Sequence, residues 1–247
     1  VKFLTCTIDR QAADGGFVKW VVLGHGIGER CFVVDYGFGH TLESIWEPVV
    51  RRQYQREDGL GSMTPVLNCA DSGWDTKNTY DFCNQNKAIF PCKGASTDMS
   101  GKPYKLDDVK DGQYKGQMLF SVNTDFWETD LEARTVERLP GEESSLTLCR
   151  DASRDIDFLE ELCNAVLADK VDTRGNVRLL WIKKDENTHN DFRDAVRYGL
   201  ALGHLVVASG GAPANDTPNR PPASAKESFV RQPEEISAGG WIRRRST

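Results

Sequence analysis

Four aspartates occur where their carboxylates can act together. Asp9 and Asp71 each end an apolar, strand-like segment, and Asp191 and Asp194 stand three residues apart at the start of a helical segment. Residues three apart lie on the same face of a helix. If the two strands are neighbours in one sheet, Asp9 and Asp71 emerge side by side at one edge. Each carboxylate then raises the pKa of the other unless a cation lies between them.

Such a cluster suits hard divalent cations, because Mg²⁺ and Mn²⁺ prefer oxygen ligands. Two ions ~3.5–4 Å apart serve in-line displacement at phosphorus, where one activates the attacking water and the other stabilises the leaving 3′ oxygen. An aspartate at any one of these positions is more typical of a turn or a helix cap, and the helix dipole also favours Asp191. The order of two strand-end aspartates followed by a helix-start aspartate is what favours catalysis.

Other residues are weaker candidates. His189 begins the helix that carries Asp194 and is a candidate water-activating base or additional metal ligand, although histidines are common at helix starts. Lys93, at a strand end, is a candidate phosphate contact, although a solvated lysine is the commoner case. Five tryptophans are expected to pack in the core or line a groove rather than stack on bases: Trp20, Trp46, Trp74, Trp127 and Trp181.

The elements that position these residues follow an α/β pattern. Strands are predicted over residues 2–9, 17–23, 30–36, 65–70, 88–92, 117–122 and 177–182. Helices are predicted over residues 41–56, 75–86, 126–138, 156–168 and 189–208. Three antiparallel strands followed by β-α-β crossovers make a mixed sheet of five or more strands flanked by helices. In the last helix, the small residues Ala195 and Gly199 predict close packing on the sheet.

The amino-acid composition excludes several classes of protein. The chain has 247 residues, of which 39% are hydrophobic and 28% charged. These values exclude a disordered or collagen-like chain, and no apolar run reaches the ~20 residues of a membrane helix. The seven cysteines are an odd, scattered set without C-x-x-C pairs, which indicates reduced thiols in a cytosolic protein. Because the chain begins with Val1 and shows no signal segment, we expect a piece of a longer protein.

The charge is unevenly distributed. Residues 210–247 carry six basic and four acidic side chains, whereas the whole chain has a net charge of −6. The acidic body predicts weak binding to DNA by charge alone. Residues 209–247 also hold half of the ten prolines and are predicted to be a flexible tail after a domain over 1–208. In that tail, the segment 241–245 (WIRRR) predicts either docking on an acidic partner or DNA backbone, or simply solubility.

Several motifs together resemble the nuclease domain of a phage terminase large subunit of the lambda-like GpA type. The similarity extends over nearly all of residues 1–208, loosely over 95–185. The motifs that carry it are Thr7-Ile8-Asp9-Arg10-Gln11, WVVLGHGIGE (20–29), CFVVDYG (31–37), Ala70-Asp71-Ser72-Gly73, Tyr80 with Phe82-Cys83, PCKG (91–94) and NDFRDAVRYGLA (190–201).

This resemblance implies an RNase H-like fold and a metal-dependent endonuclease that cuts concatemeric double-stranded viral DNA during packaging in the host cytoplasm. It implies Asp9, Asp71 and Asp194 as catalytic metal ligands for Mg²⁺ or Mn²⁺, in two sites, with Asp191 either as an accessory metal ligand or as a partner that holds one of the ligands in place. It also implies the small terminase subunit, portal and procapsid as partners, and no membrane. The family's ATPase motor is expected on an N-terminal part, since no G-x-x-x-x-G-K-[ST] loop occurs here.

Two alternatives remain open from the sequence. One is another RNase H-like phosphotransferase, such as a junction resolvase or an integrase core, which a preference for four-way junctions would reveal. The other is a non-catalytic module that docks portal, procapsid or small terminase. A docking module without a cation site would not gain stability from Mn²⁺.

Overall fold

A computed structural model describes residues 1–11, 16–95, 99–110, 112–171 and 177–210. The segment 241–245 and nearly all of the predicted tail therefore lie outside the described residues. Within the described part, no helix is both long and apolar enough to cross a membrane. All seven cysteines are described, and none of them is in a disulfide.

The described part of the chain forms twelve strands and five α-helices, besides three short 3₁₀ or π segments at Ile27–Glu29, Trp46–Val50 and Ala133–Glu137. The strands are β1 (Phe3–Gln11), β2 (Phe17–His25), β3 (Cys31–Gly39), β4 (Tyr54–Gln55), β5 (Ser62–Met63), β6 (Pro65–Asp71), β7 (Ile89–Ala95), β8 (Tyr104–Asp108), β9 (Met118–Asn123), β10 (Leu146–Leu148), β11 (Val166–Val171) and β12 (Val177–Ile182). The helices are α1 (Leu42–Ile45), α2 (Thr76–Gln85), α3 (Thr124–Glu132), α4 (Ile156–Leu162) and α5 (Asp191–Ala208).

The central sheet is mixed, as the sequence predicted. Its strand order is β10-β3-β2-β1-β6-β7-β9-β8. The first three strands of the chain pair antiparallel. β6 then adds parallel to β1, β7 parallel to β6 and β9 parallel to β7. This is the arrangement expected of an RNase H-like domain, and it brings the carboxyl ends of β1, β6 and β7 to one edge.

Helices cover both faces of the sheet, because the strands carry apolar residues on both sides. One core includes residues of α3, α4 and α5, and the other includes residues of α1 and α2. α5 lies closest to the strands. A Cβ atom added at Gly199 would lie 2.5 Å from Leu23 Cδ1, and one at Gly203 would lie 2.0 Å from His25 Cε1. The predicted close packing of α5 is confirmed.

Some predicted helices are shorter than their apolar spacing indicated. The segment 41–56 is helical only to Val50. It is α-helical over Leu42–Ile45 and becomes a π-helix around Pro48, and Tyr54 already begins β4. Proline removes a helical hydrogen bond and so favours such a break. The helix predicted over 156–168 ends at Leu162, and Val166 begins β11. β12 was predicted correctly, but it pairs with β11 in a separate hairpin.

Candidate metal centre

Asp9 and Asp71 are brought together by the parallel pairing of β1 and β6. Ile8 pairs with Ala70, so the two aspartates are the next residues on neighbouring strands. The prediction that Asp9 ends its strand was wrong, because β1 continues to Gln11. The Gln11 side chain donates a hydrogen bond to Asp9 Oδ2. Asp9 is only 3% exposed, so its carboxylate is held inside the edge of the sheet.

The start of α5 brings Asp194 to the same edge. Thr7 Oγ1 donates a 2.6 Å hydrogen bond to the backbone oxygen of Ala195, the residue after Asp194. Asp194 Oδ1 lies 2.9 Å from Arg197 Nη1 and accepts a 3.1 Å hydrogen bond from Asn190 Nδ2. Both contacts are made to Oδ1 of Asp194. They hold the carboxylate in place without occupying Oδ2.

The pKa values of these aspartates show that their charges repel one another. The pKa of Asp9 is raised well above its ordinary value, first by burial and then by the charges of Asp194, Asp71 and Asp191. Burial also raises the pKa of Asp194 to about 6, against the opposing charge of Arg197. Burial raises the pKa of Asp71 too, although the backbone N–H of Gly73 donates to its Oδ2 at 3.2 Å. Like charges buried together favour a bound cation.

Asp191 differs from the other three aspartates because a lysine is its ion-pair partner. It is 3% exposed, and its Oδ2 lies 3.1 Å from Lys19 Nζ. Lys19 pairs across the strands with Asp9 and also contacts Glu161. Glu161 in turn accepts a 3.1 Å hydrogen bond from the backbone N–H of Phe192. Lys19 and Glu161 therefore fix the first turn of α5, which carries both Asp191 and Asp194.

The two weaker candidates are placed differently. The His189 side chain is 53% exposed, and its Nδ1 lies 3.5 Å from Asp191 Oδ2, at the border of the cluster. Lys93 is exposed on β7, one residue after Cys92, which pairs with Asp71. Because successive strand residues point to opposite faces, Lys93 is directed away from the face that Asp71 occupies.

The carboxylates approach one another without forming a ready-made site. In the described part of the chain, no three His, Cys, Asp or Glu side chains are grouped so that they could hold one metal ion. The donor set nevertheless fits a hard divalent cation. It consists of carboxylate oxygens, and the Asp9 carboxylate is buried beside three others that raise its pKa.

Comparison with known proteins identifies the family. A model of the terminase large subunit gpA endonuclease domain matches residues 1–212. The chain belongs to this family. A solved structure with a similar arrangement is a mutant nuclease domain of the large terminase subunit gp2 of bacterial virus Sf6, with manganese and beta-thujaplicinol. It has a TM-score of 0.43 and 12% sequence identity, over 80% of this chain and 87% of that chain. A search of curated proteins found no match.

The terminase endonuclease domain has a supporting network that the sequence analysis missed. Glu128 on α3 is 3% exposed and accepts hydrogen bonds from two buried arginines of α5, Arg193 and Arg197. Arg197 thereby joins Glu128 to Asp194. The i, i+3 spacing of Asp194 and Arg197 was a visible signal. Nothing near Glu128 in the sequence shows that its side chain reaches α5.

The raised pKa of Asp194 predicts a pH dependence of stability in this terminase domain. An unfolded aspartate has a pKa of about 3.9, and the folded value is about 6. Between these values the folded state binds more protons than the unfolded state, so its stability falls as pH rises. Relative to Asp194→Asn, the metal-free wild type should lose unfolding free energy from pH ~4 to ~6 and then level off.

Urea denaturation of both proteins at several pH values measures this difference. The variant also loses the contact with Arg197, which adds an offset, so the slope with pH is the informative quantity. A difference that stays flat across this pH range would show that Asp194 titrates normally in the folded protein.

Proposed function

We propose that this chain is a divalent-metal-dependent endonuclease that cuts concatemeric double-stranded viral DNA during packaging. The observation that carries the proposal is the mutual electrostatic effect of Asp9, Asp71 and Asp194, which come from two adjacent strands and one helix. Family membership supports the endonuclease activity. By the same membership, we propose small terminase, portal, procapsid and an ATPase domain as partners, and the host cytoplasm as the location.

In this proposal, Asp9, Asp71 and Asp194 hold Mg²⁺ or Mn²⁺, in two sites. Bound ions would generate the nucleophilic hydroxide and stabilise the leaving oxygen. Arg197 holds the Asp194 carboxylate through Oδ1. Lys19 neutralises Asp191, which makes Asp191 a residue that positions α5. His189 stays a candidate proton acceptor at the border of the cluster.

Nicking of supercoiled plasmid by the full chain tests the activity. We expect nicking at low salt in Mn²⁺ and none when EDTA is present. Low salt is needed, because the body of the protein is acidic and its binding to DNA is expected to be weak. Equal nicking with and without EDTA would contradict a metal-dependent reaction. Strong preference for a four-way junction over linear duplex would favour a resolvase.

A further inference from the structure

A buried tyrosine of α5 lies beside the carboxylate of Asp71. Tyr198 is only 4% exposed, and its hydroxyl donates a 3.4 Å hydrogen bond to Asp71 Oδ1. The hydroxyl has a proton to donate at neutral pH, because tyrosine ionises only near pH ~10. A buried hydroxyl group needs a hydrogen-bond partner, and the carboxylate of Asp71 is that partner here. The contact joins α5 to β6 across 127 residues of sequence.

The strand next to Asp71 leaves room for this hydroxyl. Gly94 on β7 follows Cys92, the residue that pairs with Asp71, by two positions, and residues two apart on a strand project to the same face. A Cβ atom added at Gly94 would lie 3.3 Å from Tyr198 Oη and 3.0 Å from Thr124 Oγ1. The φ angle of Gly94 is not positive, so its backbone does not require glycine. The requirement is for the space that the two hydroxyl groups occupy.

The two oxygens of the Asp71 carboxylate accept hydrogen bonds from two different elements. The backbone N–H of Gly73 donates to Oδ2 at 3.2 Å, and Tyr198 donates to Oδ1. Donors on both oxygens restrict rotation of the carboxylate about its Cβ–Cγ bond. Both distances are longer than the ~2.9 Å of a strong hydrogen bond, and each carboxylate oxygen has two lone pairs. Both oxygens can therefore still bind a cation.

Consecutive residues of α5 thus contact two of the three proposed ligands. Arg197 lies 2.9 Å from Asp194, and Tyr198 contacts Asp71. The guanidinium of Arg197 lies 5.1 Å from the centroid of the Tyr198 ring, so the two side chains also support each other. Arg197 holds a ligand of its own helix, whereas Tyr198 holds a ligand on a strand. The position of Asp71 relative to Asp194 therefore depends on the Tyr198 hydroxyl.

We propose that Tyr198 is a positioning residue for Asp71 and that its hydroxyl raises the affinity of the metal centre for divalent cations. The inference rests on the proposed function and adds a residue to it. Groups that hydrogen-bond to metal ligands orient them, and their loss typically costs about 10–100-fold in metal affinity or activity. In this role Tyr198 acts through Asp71 and is not itself a ligand.

Calorimetric titration of the full chain with Mn²⁺, without DNA, tests this role. Tyr198→Phe removes only the hydroxyl, and we expect the variant to bind Mn²⁺ roughly tenfold more weakly than wild type. In EDTA it should unfold at nearly the same temperature as wild type, because the ring and its packing are retained. Tyr114→Phe is the matched control, since it removes a hydroxyl that donates at 2.9 Å to Asp81 on α2. It should leave the Mn²⁺ affinity unchanged.

Equal Mn²⁺ affinities of Tyr198→Phe and wild type would overturn the positioning role. A weaker affinity together with a large fall in the unfolding temperature of the metal-free variant would also overturn it, because the hydroxyl would then support the fold as a whole. Nicking provides a second readout. The Mn²⁺ concentration for half-maximal nicking should rise about tenfold in the variant, and saturating Mn²⁺ should restore most of the rate.

The wild type separates this inference from the proposed function. A wild type that binds Mn²⁺ without nicking would remove the nuclease activity, and the comparison of affinities would still decide the role of Tyr198. A wild type that nicks, combined with equal Mn²⁺ affinities of the two proteins, would remove only the role of Tyr198. A wild type that binds no Mn²⁺ would contradict both.

Discussion

Asp9→Asn should lower plasmid nicking in Mn²⁺ by about a thousandfold while making the metal-free protein slightly more stable. The activity falls because the variant loses a central ligand of the proposed ions, whose transition-state stabilisation amounts to several kcal/mol, and each ~1.4 kcal/mol is tenfold in rate. The stability rises because burial and three neighbouring carboxylates disfavour the charge of Asp9. Nicking rates and thermal unfolding in EDTA measure the two effects.

A matched control is available on the surface. Asp81 on α2 forms an exposed i, i+4 ion pair with Lys77, so Asp81→Asn removes one charge from the protein surface. It should leave the nicking rate unchanged. If Asp9→Asn nicks as fast as Asp81→Asn does, Asp9 is not a catalytic ligand and the proposed site is wrong.

Glu128→Ala should destabilise the protein by about 3–5 kcal/mol, the typical effect of breaking a buried ion pair by removing one partner. Arg193 and Arg197 both donate to Glu128, and all three residues are buried. The variant leaves two buried guanidinium groups without the carboxylate they share. Urea denaturation measures the loss of unfolding free energy.

Glu132→Ala supplies the comparison for this prediction. Glu132 contacts the same Arg193 at 3.2 Å, but its side chain is 36% exposed, so its removal should lower stability by less than ~1 kcal/mol. If the two variants are equally stable, then the buried network does not secure α5 against α3, and the position of Asp194 must depend on its contacts with β1.

The sequence predicted the sheet and the neighbouring positions of Asp9 and Asp71 because the signals for both are local. Alternating or continuous apolar residues defined β1, β2, β3 and β6, and the chain order restricted how these strands could pair. The closeness of Asp9 and Asp71 follows directly from that pairing, since each is the residue after a directly paired position, Ile8 or Ala70. Their distance in the chain did not matter, because parallel neighbours bring equivalent positions together.

What the sequence did not predict depends on contacts between distant segments. The apolar spacing that begins at Ile156 continues to Val166 and so predicts a helix longer than the one that forms, which ends at Leu162. The structure ends it near Asn164, whose side chain donates to the backbone of Asp185 and Thr188 before α5. The exposure of a side chain also depends on distant segments. The same packing role was expected for Trp74 and Trp127, and only the fold shows that Trp74 is exposed and Trp127 buried.

Anomalous diffraction from a crystal soaked in Mn²⁺ tests the central claim most directly. We predict manganese peaks at ligand distance from carboxylate oxygens of Asp9, Asp71 and Asp194, with Lys19 still bound to Asp191. Manganese absent from this edge of the sheet, or bound only by other residues, would contradict the account.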